Sequence, residues 1–264
     1  MFREKKKFFF LGLFLVIILS TIVFLRSQYV IPILMYHSIK PEVERHDRIS
    51  VSVASFERQM SFLVRNNYRV LTLEEVVDYL RNKKRLPLKT VAITFDDGHE
   101  DNFIYAFPII KKYQIPVTVF LIVDAIGKPG FLTEEQIRQM QDSGLVSFGS
   151  HTLSHPYLTE LNDEEKIMQE ICDSKNQLED ILGKPVIAFA YPFGRFNQKI
   201  KKMVQEKGYL LAVASKPTRY YCPYDFFALR RIRISETASN LFLFWFKTSG
   251  YYNMFRSLQT GKNG

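Results

Sequence analysis

Cysteine is nearly missing from this chain: Cys172 and Cys222 are its two cysteines. No disulfide scaffold and no paired-cysteine metal site can be built from them, although the two can join in an oxidising compartment. No G-x-S-x-G or H-E-x-x-H stretch occurs, so the serine-hydrolase elbow and the zinc-protease helix are both excluded. Aromatic residues do not interleave with a basic stripe, and the net charge of +9 is not arranged as in a nucleic-acid-binding motif. No nucleic-acid partner is expected. Histidine is also scarce, at five residues, which makes two of them four positions apart stand out.

What the chain does have, first, is a long uncharged run. Phe8 to Leu25 carry no charge, enough to cross a bilayer core. Arg3, Lys5, Lys6 and Lys7 precede the run and should hold that end in the cytoplasm. The run exceeds a usual signal-peptide core and no A-x-A site follows it. Residues 1–28 are therefore read as a basic cytoplasmic tip and a single-pass membrane anchor, and 29–264 as an extracytoplasmic domain. Residues 1–26 account for +4 of the charge, leaving +5 outside. That remainder lies in runs such as 81–85 and 199–202, read as solvated faces.

Beyond the anchor the pattern alternates. Apolar runs at 30–36, 68–71, 91–95, 116–123, 145–148, 186–190, 210–214 and 229–234 read as strands. Between them lie helical stripes: Phe56, Met60 and Leu63; Leu73, Val76, Val77 and Leu80; 107–113; 133–144; Ile167, Ile171, Leu178 and Ile181; and 197–207. Thr72 with Glu75, and Thr133 with Gln136, have the spacing of capping boxes. An aromatic helix at 241–246 closes the series and is read as core packing. Strands alternating with helices give a parallel sheet covered by helices, here closed into a barrel. Barrel chemistry sits at the C-terminal strand ends, and His37, Asp96, Asp97, His151 and Tyr191 each follow an apolar run.

Two stretches carry the chemistry. Thr94-Phe95-Asp96-Asp97-Gly98 ends a buried strand with adjacent carboxylates that resist double ionisation without a cation. One can bind the cation while the other stays free as a base. Alone, the stretch reads first as an Asp-Asp-Gly turn, common at strand ends. In Ser150-His151-Thr152-Leu153-Ser154-His155, imidazoles at i and i+4 can reach one cation if the backbone turns helically there. Two imidazoles and a carboxylate suit zinc, and also cobalt, nickel or iron.

These motifs, with Phe189-Ala190-Tyr191-Pro192-Phe193-Gly194, resemble the polysaccharide deacetylases with a NodB homology domain (carbohydrate esterase family 4). The resemblance covers about Ile31 to Ile234. It implies a distorted (β/α) barrel of about seven strands that hydrolyses acetyl groups from N-acetylated sugars. It makes Asp97, His151 and His155 the ligands of a divalent metal, Asp96 the general base, and the Tyr191 backbone N–H an oxyanion donor. Tyr191, Pro192, Phe193 and His99 would border the sugar, although core packing is the plain reading of Phe193 and a solvated loop residue is an equal reading of His99.

Two departures refine the resemblance. No His follows His155, where many members supply the acid from an L-x-H motif, and Ala190 stands where many carry Arg. Both features are similar to the poly-N-acetylglucosamine deacetylases of biofilm formation, in which an N-terminal strand ending in Y-H takes the missing part. Tyr36-His37 fits that role, making His37 the general acid, and Arg231 the replacement that orients Asp96. The substrate expected is extracytoplasmic poly-β-1,6-N-acetylglucosamine, with peptidoglycan, chitin oligomers and a non-catalytic glycan-binding relative as alternatives.

Overall fold

In a computed structural model of the chain, residues 2–27, 29–44, 46–82, 87–215, 225–252 and 254 are described. A parallel barrel organises them. Its strands are β1 (Ile33–Tyr36), β5 (Thr90–Phe95), β6 (Val117–Leu121), β7 (Val146–Ser150), β8 (Ala188–Ala190), β9 (Leu211–Ala214) and β10 (Leu229–Arg233). Around the ring the order is β1-β10-β9-β8-β7-β6-β5, and β5 returns to β1 to close it. An eighth strand, β4 (Arg69–Leu71), pairs with the first half of β5 where β6 does not reach. The expected distorted seven-stranded barrel is what forms.

Each ring strand is buried on both faces, which is why the runs read as continuously apolar. Ile33, Ala92, Phe120, Ala188, Ala190, Leu211, Val213 and Leu229 make one cluster. Alternate residues such as Leu34, Ile93, Val119, Phe189, Ala212 and Ile232 join a second, larger cluster. That second cluster receives the apolar stripes of α2 (Val53–Arg65), α4 (Phe107–Tyr113), α5 (Glu134–Asp142), α6 (Glu164–Leu182) and α7 (Gln198–Glu206). Thr72 and Thr133 make both expected capping boxes, at α3 (Leu73–Arg81) and α5. On α6 it is Leu182, not Ile181, that reaches full burial beside Leu178.

Two short strands, β2 (Ser38–Lys40) and β3 (Ser50–Ser52), pair in parallel within what reads as a polar loop. A wide helical turn at Asn102–Ala106 precedes α4. The last helix, α8 (Leu241–Thr248), corrects the expectation of plain core packing. Phe244 is buried, but Phe242 and Trp245 are exposed.

Phe2–Ser27 form helix α1. Among the described residues no helix is long and apolar enough to cross a membrane. Cys172, on α6, is a free thiol, and Cys222 lies outside the described residues.

Gly149 shows how tightly β7 is packed before it delivers His151. A Cβ there would lie 2.6 Å from the Phe120 ring and 2.9 Å from the Ala188 carbonyl oxygen. Gly149→Ala is expected to destabilise the fold by ~1–3 kcal/mol through overpacking, lowering the urea midpoint. An unchanged midpoint would show that the strand has slack.

Candidate active site and metal centre

The ring order explains how residues far apart in sequence meet. β1 lies between β10 and β5 and pairs Tyr36 with Phe95, so the next residues, His37 and Asp96, are neighbours at the same strand ends. The Asp96 N–H donates to the Tyr36 carbonyl (3.0 Å). The end of β1 is pinned from the loop after β5: the Asp101 carboxylate accepts the Ser38 hydroxyl and the Ile39 N–H. Asn102 donates to the His37 carbonyl (2.8 Å).

The adjacent carboxylates take different partners. Asp96 is 3% exposed and held in a fork by Arg231, Nη1 to Oδ1 at 2.5 Å and Nη2 to Oδ2 at 2.6 Å. Arg231 also donates to Thr94 Oγ1 (3.2 Å) and lies over the Phe120 ring. Burial alone would raise the Asp96 pKa; the Arg231 charge outweighs it and holds the pKa below the usual carboxylate value. At Asp97 the backbone turns left-handed (φ 71°), followed by Gly98 at φ 75°. The Asp-Asp-Gly turn is therefore real as well, and it is the turn that sends the two carboxylates apart. His99 Nε2 lies 3.4 Å from Asp97 Oδ2, with its ring stacked on Phe131. Burial opposes ionisation of Asp97, but the His99 hydrogen bond and the nearby imidazoles lower its pKa.

The two imidazoles converge without a helix, which corrects the expected helical turn. Residues 151–158 are irregular, with Thr152 at φ 66° and His155 at φ 62°. Glu170 on α6 holds this loop by accepting the N–H groups of Leu153 and Ser154, both at 2.9 Å. The Ala190 carbonyl lies 2.8 Å from His151 Nδ1, so a proton at Nδ1 leaves the Nε2 lone pair for a ligand. Nothing in the sequence marked Glu170, one of several acids on an amphipathic helix, as a support.

Asp97 Oδ1, His151 Nε2 and His155 Nε2 form a triangle with edges of 3.6, 3.8 and 3.2 Å. Ligands about 2.1 Å from a tetrahedral ion lie roughly 3.4 Å apart, so the donor set fits a divalent cation. Burial, then the neighbouring His151, lowers the His155 pKa to about 4, keeping it neutral as a ligand must be.

The triad opens on a cavity of about 690 Å³, lined also by His37, Asp96, Tyr157, Phe193, Arg233 and Lys247. Among the described residues His37 Nδ1 is buried without a hydrogen-bond partner. Burial lowers the His37 pKa, against the charges of Asp96 and Asp97, which raise it. Phe193 is exposed rather than core, in a left-handed conformation (φ 56°), stacked 3.6 Å from Tyr157. Three other expectations shift. Tyr191 is fully buried, and its N–H donates to the Val213 carbonyl (3.2 Å), so the expected oxyanion donor is committed to the sheet. Pro192 is buried off the cavity wall, and His99 supports Asp97 from behind it.

The polysaccharide deacetylase family model matches residues 83–212. YxkH of Bacillus subtilis (strain 168), which bears that family's name, is 36% identical over 209 residues, 79% of this chain and 73% of its own. The chain belongs to the polysaccharide deacetylase family. A poly-beta-1,6-N-acetyl-D-glucosamine N-deacetylase of Staphylococcus aureus (strain MRSA252) is 29% identical over 81% of this chain and 76% of its own. Among solved structures, the deacetylase PplD of Streptococcus pyogenes, in complex with acetate, superposes with a TM-score of 0.75. It is 31% identical and covers 83% of this chain and 98% of its own. The protein is thus a polysaccharide N-deacetylase, in a family of metal-dependent enzymes, and it acts on an acetylated polysaccharide.

The Arg231–Asp96 pair has a defined pH signature. A carboxylate whose folded pKa is depressed contributes stability above its unfolded pKa and loses it as pH falls through the folded value. Arg231→Met removes the strongest charge opposing burial, so the Asp96 pKa should climb. The acid unfolding transition should move to higher pH, with ~3–5 kcal/mol lost near neutrality. An unmoved acid transition in urea titrations would show that the pair does not set it. Glu170→Gln should weaken metal affinity ~10–100-fold with the fold intact, as loss of a ligand-supporting contact does; competition with a fluorescent chelator measures this.

Proposed function

We propose that the chain is a zinc-dependent N-deacetylase of extracytoplasmic poly-β-1,6-N-acetylglucosamine, held at the outer face of the cell membrane by residues 1–28. The observation that carries the catalytic reading is the shared cavity. It joins a triad of ligand atoms to a charged Asp96 outside the triad and to a His37 whose Nδ1 lacks a partner among the described residues.

Asp97, His151 and His155 would hold the ion. When bound, it supplies Lewis acidity toward the amide carbonyl and acidifies water at neutral pH. Asp96, kept as a carboxylate by Arg231, takes the proton from the attacking water. His37 delivers a proton to the departing nitrogen. The carbon–nitrogen bond breaks, a carbon–oxygen bond forms, and acetate and a sugar amine result. The stacked Phe193 and Tyr157 rings offer a face for a pyranose.

The polymer assignment is supported by similarity to the staphylococcal enzyme and by His37 and Arg231 standing in for the missing motifs. The anchor reading is supported by the uncharged run 8–25, its helical conformation, its exposed apolar side chains from Leu13 to Leu25, and the basic residues before it. Zinc is favoured by the nitrogen-rich donor set.

Purified full-length chain, incubated with β-1,6-linked N-acetylglucosamine oligomers, should release acetate. Release should stop with chelator and return with zinc. His37→Ala and Asp96→Asn should each lose ~10²–10⁴-fold in kcat, with His37→Ala still binding metal stoichiometrically. Normal turnover by His37→Ala would remove it from the mechanism, and chelator-resistant release would overturn the metal reading.

A further inference from the structure

Helix α8 presents apolar surface that the barrel does not cover. Phe244 is fully buried, but Leu241, Phe242 and Trp245 are 37, 73 and 46% exposed. Residues three and four apart share one helix face, and the Phe242 and Trp245 rings lie 5.6 Å apart. Apolar residues exposed singly need no explanation, whereas a contiguous patch marks a contact surface.

The border of the patch is basic. Leu241 leads into a groove of about 600 Å³ along α2, with the exposed Arg58 and Arg65 on its wall. Glu57, the one acid on that wall among the described residues, pairs with Lys112, and the Lys89 ammonium is held at the Asn66 carbonyl (3.1 Å). Four cations thus surround one carboxylate. A second copy of the chain would cover the rings, but in a two-fold contact the same cations would face one another. An anionic lipid surface answers both features: aromatic rings settle at the headgroup level, and Lys and Arg are drawn to its negative charge.

The patch is also joined to the segment that leaves α1. Gly250, two residues beyond the end of α8, accepts the Val30 N–H (3.1 Å), and Tyr251 packs edge-on against Tyr29. Val30 lies three residues past Ser27, where α1 ends. Three residues reach ~11 Å at most and an eight-residue helix is ~12 Å long. An anchor ending at Ser27 therefore keeps the patch within reach of the headgroups.

We infer that α8 and the adjoining groove form a membrane-facing surface, with Leu241, Phe242 and Trp245 seated among the headgroups of an anionic bilayer and Arg58 and Arg65 meeting lipid phosphates. The inference rests on the anchor reading and deepens it: the domain lies against the membrane instead of swinging from a tether.

Trp245 is the chain's one tryptophan, so its fluorescence reports this patch. The test places the full chain in phosphatidylcholine vesicles, with or without phosphatidylglycerol, whose acyl chains are brominated at shallow or at terminal positions. With phosphatidylglycerol present, shallow bromine should remove about half of the emission and terminal bromine less, since interfacial rings sit ~5–10 Å deep. Added salt should weaken the quenching, as should the double variant Arg58→Gln, Arg65→Gln. Phe242→Ser should weaken it too, with acetate release from soluble oligomers unchanged.

Emission indifferent to bromine in every vesicle, from a chain that resists alkaline carbonate extraction, overturns the surface and leaves the anchor standing. Bromine quenching of a chain that carbonate extracts does the reverse. Dimers that shield Trp245 from iodide without lipid, and that Phe242→Ser abolishes, assign the face to a second copy and overturn the membrane contact.

Discussion

The Arg231–Asp96 ion pair, buried at the carboxyl end of the barrel, is the contact on which the rest of the site depends. Burying either charge alone is strongly unfavourable, and removal of one partner leaves the other uncompensated. The fork makes the arrangement tolerable by giving both carboxylate oxygens a donor. It also spans strands. Arg231 comes from β10 and Asp96 from the end of β5, with β1 between them. The pair can form only when β1 occupies its place in the ring, and that placement is what sets His37 beside Asp96. Closure of the barrel and assembly of the acid–base residues are therefore one event.

A second constraint separates two carboxylates that are adjacent in sequence. Like charges this close compete unless each has its own cationic partner. The chain solves this by a left-handed turn at Asp97 and Gly98. A Cβ on Gly98 would meet a Leu121 methyl at 2.6 Å, so a larger residue there would strain the left-handed backbone and have to push that side chain aside. Left-handed residues recur at Thr152, His155 and Phe193, all around the same cavity. Such conformations persist where surrounding contacts over-determine them. Here those contacts are the Glu170 clamp on the His loop and the Tyr157 ring under Phe193.

Much of this was legible in the sequence because the barrel is parallel and buried on both faces, so its strands are short continuous apolar runs. Helix starts announced themselves through capping boxes, and reactive residues fell just after strands, as parallel-barrel geometry demands. The supporting contacts were less legible. Arg230, Arg231 and Arg233 look alike in one dimension, since alternation says which residues share a face but not which face is lined by the reactive groups. Irregular turns carry no period, so the non-helical approach of His151 and His155 was invisible, as was the commitment of the Tyr191 amide to β9. Glu170 and Asp101 give no local signal because their partners are backbone N–H groups on other elements.

The order of the ring has one further consequence. Strand β1 begins at Ile33, six residues after α1 ends at Ser27, and Tyr29 and Val30 ahead of it are bonded into the fold: Val30 donates to the Gly250 carbonyl, and Tyr29 shares hydrogen bonds with the Thr90 backbone. The segment that leads out of α1 is thus the segment that closes the barrel and delivers His37. In a barrel closed by its C-terminal strand, an N-terminal anchor would be a tether of arbitrary length. The proposed anchor would instead be continuous with a strand whose register helps define the acid–base pair, so restraining the chain at that end would restrain the site.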